Sequence, residues 1–260
     1  MIQAESISKY LNAPLKVTVF DTLESTNRTA REIAKSNPNS GDQLIIARSQ
    51  TGGRGRMGRS FFSPDGGLYM SFLFRPDVSA ADSVKITAAA AVAVARAIDS
   101  IAGTKSEIKW VNDVYIGGKK ICGILTEGQT RTDGSLEYAI LGIGINLVAP
   151  TDGFPEDIAD RAGSVFSIPP YDSDNKLAAA VINEFTKIMS GGFDKALFLN
   201  EYRSRSCVIG HEVDVMRIAD GEAIPALAVR IDDECRLIVQ FTDGTEKALG
   251  SGEVSIRERK

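Results

Sequence analysis

The sequence predicts an α+β protein in which residues 1–205 combine strands and helices and residues 206–260 form a small all-β domain. Two observations support this prediction. Apolar segments with the two-residue period of strands alternate with helix-like segments through most of the chain. After Tyr202 only short alternating segments remain, such as residues 226–231 and 237–241, and turn residues separate them. A chain of 260 residues can bury one substantial core and still form a small second domain.

The strands of the first domain are predicted from short apolar segments that are bounded by turn residues. These segments cover residues 17–20, 44–47, 68–74, 114–116, 119–125 and 138–147. Gly117 and Gly118 join two of them in a two-residue hairpin, since glycine adopts the positive φ angles of such turns with little strain. Asp133-Gly134 predicts a further hairpin turn. Lys120 therefore lies near the start of the second strand of the first hairpin.

Three helices are predicted between these strands. The first covers residues 28–35 and follows Ser25 or Thr26, either of which suits the N-cap position. The second is alanine-rich and extends from about residue 83 to 101, and the third covers residues 177–188. Glycines follow both of these helices and predict their ends. The Ser-Thr-Asn triplet at the first helix thus lies on a strand-to-helix junction.

Composition argues against several classes of protein. The formal net charge of −4 gives no overall attraction to nucleic acid. The N-terminal ten residues lack the apolar core of a signal peptide. The apolar stretch at residues 88–98 is too short to span a bilayer and carries Arg96. Neither a DNA-binding nor a membrane protein is therefore expected.

Cysteine and histidine usage narrows the chemistry further. Cys122, Cys207 and Cys235 are widely spaced and form no CxxC pair, so neither a disulfide framework nor a zinc site is predicted. A reducing, cytoplasmic location is the expectation. The single histidine, His211, lies in the predicted β domain, which argues against a histidine-based catalytic triad.

The loop after the second predicted strand combines four glycines with three arginines at residues 52–59. Backbone amides and guanidinium groups there can reach one anion, so the loop is predicted to be an anion cradle. A flexible basic surface loop is the alternative interpretation. Gly53, Gly55 and Gly58 also match the GxGxxG pattern of dinucleotide-binding folds. That interpretation is rejected, because a strand rather than a helix is predicted after the glycines.

Two later segments carry residues suited to a nucleotide. The sequence Lys-Trp-Val-Asn-Asp at residues 109–113 precedes the glycine hairpin. Its Asp113 could bind Mg²⁺ among phosphate oxygens, although strand-end residues around a core tryptophan would show the same pattern. Gly142 and Gly144, in the sequence Gly-Ile-Gly-Ile-Asn, lie where a ligand or another backbone could approach closely.

These motifs together resemble those of the biotin protein ligase family. They are Ser-Thr-Asn at residues 25–27, Gln50 with the loop GGRGRMGR, KWVND with GGKKICGIL, and GIGIN. The resemblance covers the chain from about residue 17 through the C-terminal domain. About sixteen residues precede the first predicted strand, too few for a helix-turn-helix domain. The monofunctional type without an N-terminal DNA-binding domain is therefore expected.

The resemblance implies a class II synthetase-like mixed sheet with helices on one side, followed by a small SH3-like barrel. Three positions depart from the family's pattern. Val111 stands where proline is usual, Phe61 where tryptophan is common, and Met57 where a third loop arginine often occurs. The Val111 change removes a rigid turn residue but no functional group, and Phe61 keeps an aromatic face for adenine.

The resemblance also assigns residues to two ligands. Those expected to bind biotin are Ser25, Thr26, Asn27, Gln50, Gly53, Arg54, Gly55, Arg56 and Lys120. Those expected to bind ATP are Arg54, Arg56, Phe61, Lys109, Asn112 and Asn146. Arg56 and Lys120 are the expected catalytic residues, because their charges would bring the biotin carboxylate and the α-phosphate together. Helix capping by Ser25 or Thr26 and an exposed strand lysine at position 120 are the alternatives.

The implied activity is a two-step ligation. Biotin would react with magnesium-bound ATP to form biotinyl-5'-AMP, and a lysine of a biotin carboxyl carrier protein domain would accept the biotinyl group. ATP and Mg²⁺ are the expected cofactors, Asp113 is the expected Mg²⁺ ligand, and a homodimer is a further expectation. A lipoate ligase is the nearest alternative, although that family's motifs include a histidine in the catalytic domain, where this chain has none. A biotin-sensing repressor and a non-catalytic binding module are the others.

Overall fold

The computed structural model describes residues 1–192, 195–217, 222–250 and 254–258. Its α-helices are α1 (Ala4–Tyr10), α2 (Thr26–Ser36), α3 (Ser83–Ala102), α4 (Ser173–Ser190) and α5 (Lys195–Ser204). Its strands are β1 (Lys16–Leu23), β2 (Gln43–Gln50), β3 (Gly67–Phe74), β4 (Glu107–Lys109), β5 (Asp113–Ile116), β6 (Lys119–Thr130), β7 (Leu136–Asn146), β8 (Glu212–Arg217), β9 (Ala223–Ile231), β10 (Leu237–Phe241), β11 (Glu246–Leu249) and β12 (Val254–Glu258). Residues 218–221, 251–253 and 259–260 of the predicted β domain lie outside the described residues.

The large sheet has seven strands in the order β1-β2-β3-β7-β6-β5-β4. β1 and β2 are parallel, and the other neighbouring pairs are antiparallel, so the sheet is mixed as predicted. β3 pairs with β7, although β4, β5 and β6 separate them along the chain. This pairing brings the loop after β2 close to residues of β5, β6 and β7.

Alternate residues of the central strands face two different helical layers. Leu44 and Leu141 belong to the large core with the alanines of α3 and the apolar residues of α4. Ile45 and Leu73 point the other way and pack with Ala30 of α2. Helices therefore cover both faces of the sheet, which corrects the expectation of helices on one side. The physical reason is that the central strands are apolar on both faces and must be covered on both.

The C-terminal strands form a five-stranded antiparallel sheet in the order β11-β10-β9-β8-β12. Val215 and Leu237 of this sheet belong to the same core cluster as α3 and α4. Across the boundary, Trp110 donates its indole N–H to the carbonyl of Cys235 at 2.9 Å. The predicted combination of a mixed sheet with a small β unit is confirmed, whereas the boundary at residue 205 and the SH3-like shape stay predictions.

Three elements were not predicted from the sequence: α1, β4 and α5. They are short, with 7, 3 and 10 residues, and short helices gain most of their stability from packing. In α1, Ile7 is fully buried in the large core, and the backbone N–H of Gln3 binds the side chain of Asn175 in α4. Among the described residues, no helix is both long and apolar enough to cross a membrane.

Candidate active site

The site lies on the face of the sheet that α2 covers, beyond the end of that helix's apolar contacts. Along β7 this face begins with Tyr138 and Ile140, which pack against α2. It continues with Gly142, Gly144 and Asn146, because alternate residues of a strand share one face. The change from large apolar to small and polar residues leaves room above the sheet for the N-terminus of α2 and the arginine loop.

The first cluster joins the N-terminus of α2 to the end of β2. Gln50 Oε1 accepts a hydrogen bond from the backbone N–H of Thr26 at 2.9 Å and lies 3.2 Å from the hydroxyl oxygen of Thr26. Gln50 Nε2 donates to Ser63 Oγ at 3.0 Å. Ser25 occupies the N-cap of α2. Within the residues that the structure describes, its side chain makes no capping hydrogen bond. The predicted biotin-binding residues Ser25, Thr26, Asn27 and Gln50 are therefore brought together, and helix capping does not account for Ser25.

Two residues that the sequence reasoning missed complete this cluster. Ser71, fully buried on β3, lies 2.7 Å from Thr26 Oγ1 and 2.6 Å from Asn27 Oδ1. Glu127, on β6, accepts from Asn27 Nδ2 at 2.7 Å. Ser71 had a signal in the sequence, since a polar residue within an apolar strand needs a partner when it is buried, whereas Glu127 lies at the polar, partly exposed end of β6 and had no such signal. What the sequence lacked was the identity of the partner.

The arginine loop begins beside the site at Gly53 and ends beside it at Phe61. The carbonyl of Gly53 accepts from the backbone N–H of Phe61 at 2.9 Å, and a side chain at position 53 would collide with the Phe61 carbonyl and Ser63. Between these points Met57 adopts a left-handed conformation with φ 58° and is exposed. Arg54 is also exposed, whereas Gly53 is buried. The loop is thus anchored at its base, and its tip faces solvent.

The second cluster surrounds Arg56, the half-buried arginine of the loop. Arg56 Nη1 donates to Asn112 Oδ1 at 3.0 Å, and Asn112 Nδ2 donates to the carbonyl of Ile124 at 2.7 Å. Lys120 Nζ lies 2.7 Å from Asp113 Oδ1. Burial lowers the pKa of Arg56, and the nearby carboxylate of Asp113 opposes that shift. The predicted catalytic pair, Arg56 and Lys120, therefore lies on one face of β5 and β6.

Phe61 lies against the glycines of the sheet. Its ring would be 2.9 Å from a Cβ at Gly123 and 2.5 Å from one at Gly144, two glycines that are paired across β6 and β7. Lys120 Nζ lies 5.9 Å from the centroid of the same ring. A Cβ at Gly142 would collide with the side chain of Asn27. The groups that approach the glycines of the GIGIN motif are therefore side chains of this chain, where the sequence suggested a ligand or backbone.

The remaining predicted residues lie around these two clusters. Lys109 Nζ lies 5.7 Å from the centroid of the Tyr115 ring at the β4–β5 edge. Asn146 Nδ2 donates to the carbonyl of Gly163 at 2.9 Å, which holds the 160–163 segment beside β6. Within the described residues, no group of three or more His, Cys, Asp or Glu side chains is arranged to hold a metal ion. Asp113 faces Lys120, so its predicted part in Mg²⁺ binding stays a prediction.

Comparison with known proteins places these motifs in a family. The model of the Biotin/lipoate A/B protein ligase family matches residues 19–146. The "Bifunctional ligase/repressor BirA" of Bacillus spizizenii is 35% identical over 236 residues, which cover 87% of this chain and 70% of that protein. The "Biotin--[acetyl-CoA-carboxylase] ligase" of Paracoccus denitrificans is 30% identical over 231 residues, or 86% of this chain and 93% of that protein. The chain belongs to the biotin protein ligase family.

Solved structures agree with this assignment. The structure of a biotin protein ligase from Aquifex aeolicus in complex with biotin and ATP has a TM-score of 0.73 to this chain at 25% identity. The alignment covers 94% of this chain and 99% of that one. The predicted family and the predicted α+β fold are confirmed, and this biotin protein ligase family member is a ligase enzyme. The ligands assigned to individual residues of the site stay predictions.

Proposed function

We propose that this chain is an ATP-dependent biotin protein ligase that forms biotinyl-5'-AMP and transfers biotin to a lysine of a biotin carboxyl carrier protein domain. One observation carries the proposal. The Gly53–Ser63 segment contacts Gln50 at one end of the site and holds Arg56 beside Asn112 at the other. A neutral polar cluster and a cationic cluster therefore share one site, as a ring urea and two reacting anions require.

In the first step, a carboxylate oxygen of biotin attacks the α-phosphorus of ATP. A phosphorus–oxygen bond forms, the bond to the β-phosphate bridge breaks, and pyrophosphate leaves with its electron pair. Arg56 and Lys120 would lower the repulsion between carboxylate and phosphate and stabilise the charge that develops. Phe61, Lys109, Asn112 and Asn146 would contact the adenylate, as the resemblance implies.

In the second step, the amine of an acceptor lysine attacks the acyl carbon of biotinyl-5'-AMP. An amide forms, the acyl–oxygen bond breaks, AMP leaves, and the amine loses a proton. The mixed anhydride hydrolyses if water reaches it, so closure of the arginine loop would protect it. Arg54 and Met57 are exposed and suit such a movement, whereas Arg56 between them is held by its hydrogen bond to Asn112.

Magnesium is proposed as a cofactor that accompanies the triphosphate. Mg²⁺ is commonly held by one or two carboxylates together with substrate phosphates. Asp113 is the carboxylate nearest the catalytic lysine, but its Oδ1 is 2.7 Å from Lys120 Nζ. Because this pairing occupies Asp113 with a cation, the described residues do not form a ready metal site, and no step is assigned to a metal on Asp113.

ATP–pyrophosphate exchange with purified protein tests the proposal, with biotin, lipoate or no acid added. We expect exchange with biotin alone, and its loss in Arg56→Ala. Arg236→Ala is a matched control, because it removes the same charge from an exposed turn of the C-terminal domain. Exchange with lipoate alone would move the chain to lipoate ligation. The absence of exchange with either acid would contradict the enzyme proposal and favour a binding module.

Three further expectations of the sequence belong to this proposal. The relatives named as ligase/repressors raise the question of DNA binding, and we propose that this chain acts without a DNA partner. A mobility shift on a biotin operon promoter would contradict that. We also propose a homodimer and a cytoplasmic location. Sedimentation of the ligand-bound protein tests the homodimer. In the part of the chain that the structure describes, Cys122 and Cys235 form no disulfide, which suits a reducing location.

A further inference from the structure

A chain of hydrogen-bonded side chains extends from the edge of the site to its centre. Its members, in order, are Glu127, Asn27, Ser71, Thr26 and Gln50, with Gln50 joined through the backbone N–H of Thr26, and we refer to them as the polar chain. Thr26, Asn27 and Ser71 are buried, and Ser71 is fully so. In such surroundings each polar atom needs a partner of the right kind, so the direction of every proton in the chain has consequences.

Glu127 fixes the first direction. Its carboxylate contacts Arg31 through Oε1 and lies 2.7 Å from Asn27 Nδ2 through Oε2. A carboxylate only accepts hydrogen bonds, so the amide nitrogen of Asn27 must face β6, where the carbonyl of Leu125 lies 3.4 Å away. The Oδ1 atom of Asn27 therefore faces Ser71 and can only accept.

The orientation of the Asn27 amide decides the direction in which the hydroxyl protons of Ser71 and Thr26 point. The Ser71 hydroxyl has one proton and lies 2.6 Å from Asn27 Oδ1 and 2.7 Å from Thr26 Oγ1. Since Asn27 Oδ1 has no proton to give, Ser71 donates to Asn27 and accepts from Thr26. The single hydroxyl proton of Thr26 is then directed at Ser71, so the backbone N–H of Thr26 holds Gln50 Oε1 and the 3.2 Å contact between Gln50 Oε1 and the Thr26 hydroxyl carries no proton. The opposite direction would leave two acceptor oxygens 2.6 Å apart without a proton between them. The hydroxyl oxygen of Thr26 then keeps its lone pairs available on its other side.

The orientation of Gln50 is fixed from its own surroundings. Its Oε1 accepts from the backbone N–H of Thr26 at 2.9 Å, and its Nε2 donates to Ser63 Oγ at 3.0 Å. Ser63 in turn donates to the carbonyl of Phe61 at 2.8 Å. Gln50 Nε2 carries a second N–H in addition to the one directed at Ser63. The end of the polar chain thus presents an acceptor on Thr26 and a donor on Gln50.

We propose that Glu127 and Ser71 are positioning residues that set the proton directions of the polar chain and thereby its preference for a ring urea. A cyclic urea offers an N–H donor beside a carbonyl acceptor, which matches Thr26 Oγ1 and Gln50 Nε2. Glu127 and Ser71 act through Asn27 and Thr26 and need not touch the ligand. This inference rests on the proposed function.

The decisive experiment is Glu127→Gln, which keeps the shape of the side chain but offers an N–H to Asn27. The amide of Asn27 can then turn over, and the directions of Ser71 and Thr26 are no longer fixed. We expect the KM for biotin in the exchange assay to rise about tenfold, the change that one weakened buried hydrogen bond produces. The KM for ATP and kcat should change less than about twofold, because the cationic cluster around Arg56 is not part of the polar chain.

A double variant separates direction from shape. When Glu127→Gln is combined with Asn27→Asp, the new carboxylate at position 27 accepts from the new amide at position 127 and from Ser71, so the original directions return. We expect the biotin KM of the double variant to return most of the way to the wild-type value. Asn27→Asp alone places two carboxylates together and should impair binding. Glu32→Gln is the matched control, since Glu32 pairs with Arg28 of the same helix on its exposed side.

The exchange assays distinguish failure of this inference from failure of the proposed function. An unchanged biotin KM in Glu127→Gln, or a double variant no better than the worse single variant, overturns the inference while wild-type exchange leaves the proposed function standing. A wild-type chain without biotin-dependent exchange overturns both. Melting temperatures of all variants show whether a loss follows from unfolding, and recovery in the double variant is a result that simple loss of packing would not produce.

Discussion

On one side of the site, Thr26 is joined to Gln50 by a hydrogen bond of 2.9 Å and to Ser71 by one of 2.7 Å. On the other, Arg54 and Met57 lie exposed on a loop that is held at its base and by the hydrogen bond of Arg56 to Asn112. The first side is formed entirely by the N-terminus of α2 and strands of the large sheet. On the second side, Arg56 binds Asn112, directly before β5. The neighbouring Trp110 contacts the C-terminal domain.

Under the proposed function, this difference assigns recognition to the first side and chemistry to the second. A rigid polar cluster can distinguish one small ligand from another before any reaction, because its donors and acceptors are already in place. A loop that must admit two substrates and then exclude water needs freedom to move. We therefore expect the proposed binding side to be fixed and the proposed reacting side to be adjustable. The following predictions test this contrast, from the largest expected effect to the smallest.

Gly142→Ala should have the largest effect, on the fixed side. Its Cβ would collide with Asn27 Oδ1, so the polar chain must break or shift. Overpacking of this kind costs about 1–3 kcal/mol, so the KM for biotin should rise roughly ten- to hundredfold in the exchange assay. Gly41→Ala is the control, because a Cβ there meets nothing within 4 Å. Equal KM values for the two variants would argue against a rigid binding side.

Tyr202→Phe should impair the reacting side and spare the binding side. The Tyr202 hydroxyl donates to the carbonyl of Val111 at 2.9 Å, directly before Asn112, which holds Arg56. Loss of this buried hydrogen bond costs about 1–2 kcal/mol, and we expect kcat to fall about tenfold. Tyr10→Phe, which removes an exposed hydroxyl bound to Asp172, should leave kcat unchanged. A rise in the biotin KM with normal kcat would show that the two sides are not separate.

Hydrogen exchange should show the contrast without any substitution. We expect the amides of residues 54–59 to exchange at least about threefold more slowly when biotin and ATP are bound, since the loop closes. Those of residues 44–47 in β2 should exchange at the same rate with and without ligands, because that strand is already buried between its neighbours. Equal exchange of the loop in both states, or equal protease sensitivity of residues 52–59, would contradict closure.

The smallest effect concerns the ion pairs that hold α5, the helix that carries Tyr202. Burial acts to raise the pKa of Glu201, but hydrogen bonds from Arg96 and Arg205 outweigh it, so that pKa lies below its ordinary value. Glu201 therefore contributes stability above the ordinary carboxyl pKa, and this contribution is lost as the pH falls. Glu201→Gln should cost roughly 0.5–1 kcal/mol in urea unfolding at neutral pH, and less near pH 4. A cost that is the same at both pH values would rule out this electrostatic contribution.

Much of the local structure could be predicted from the sequence. The periods of β2, β3 and β7, the Gly117-Gly118 hairpin and the glycine after α3 all have local causes, so each segment indicates its own conformation. The structure bears these out, with positive φ angles at Gly103, Gly117 and Gly118. The motifs also indicated the family, because their residue types and order follow the chemistry of one site.

Only the tertiary structure decided how these segments meet. The period of β7 indicates that Gly142 and Gly144 share a face, but pairing with β3 and β6 decides that Asn27 and Phe61 occupy it. The sequence shows Ser71 only as a polar residue in an apolar strand. Its partners in α2 are identified by the packing of β3 beneath that helix. The contact of Trp110 with the C-terminal domain likewise joins residues 125 positions apart. The physical reason is that periodicity and turn chemistry depend on neighbours in sequence, whereas the partner of a buried group depends on which strands pair.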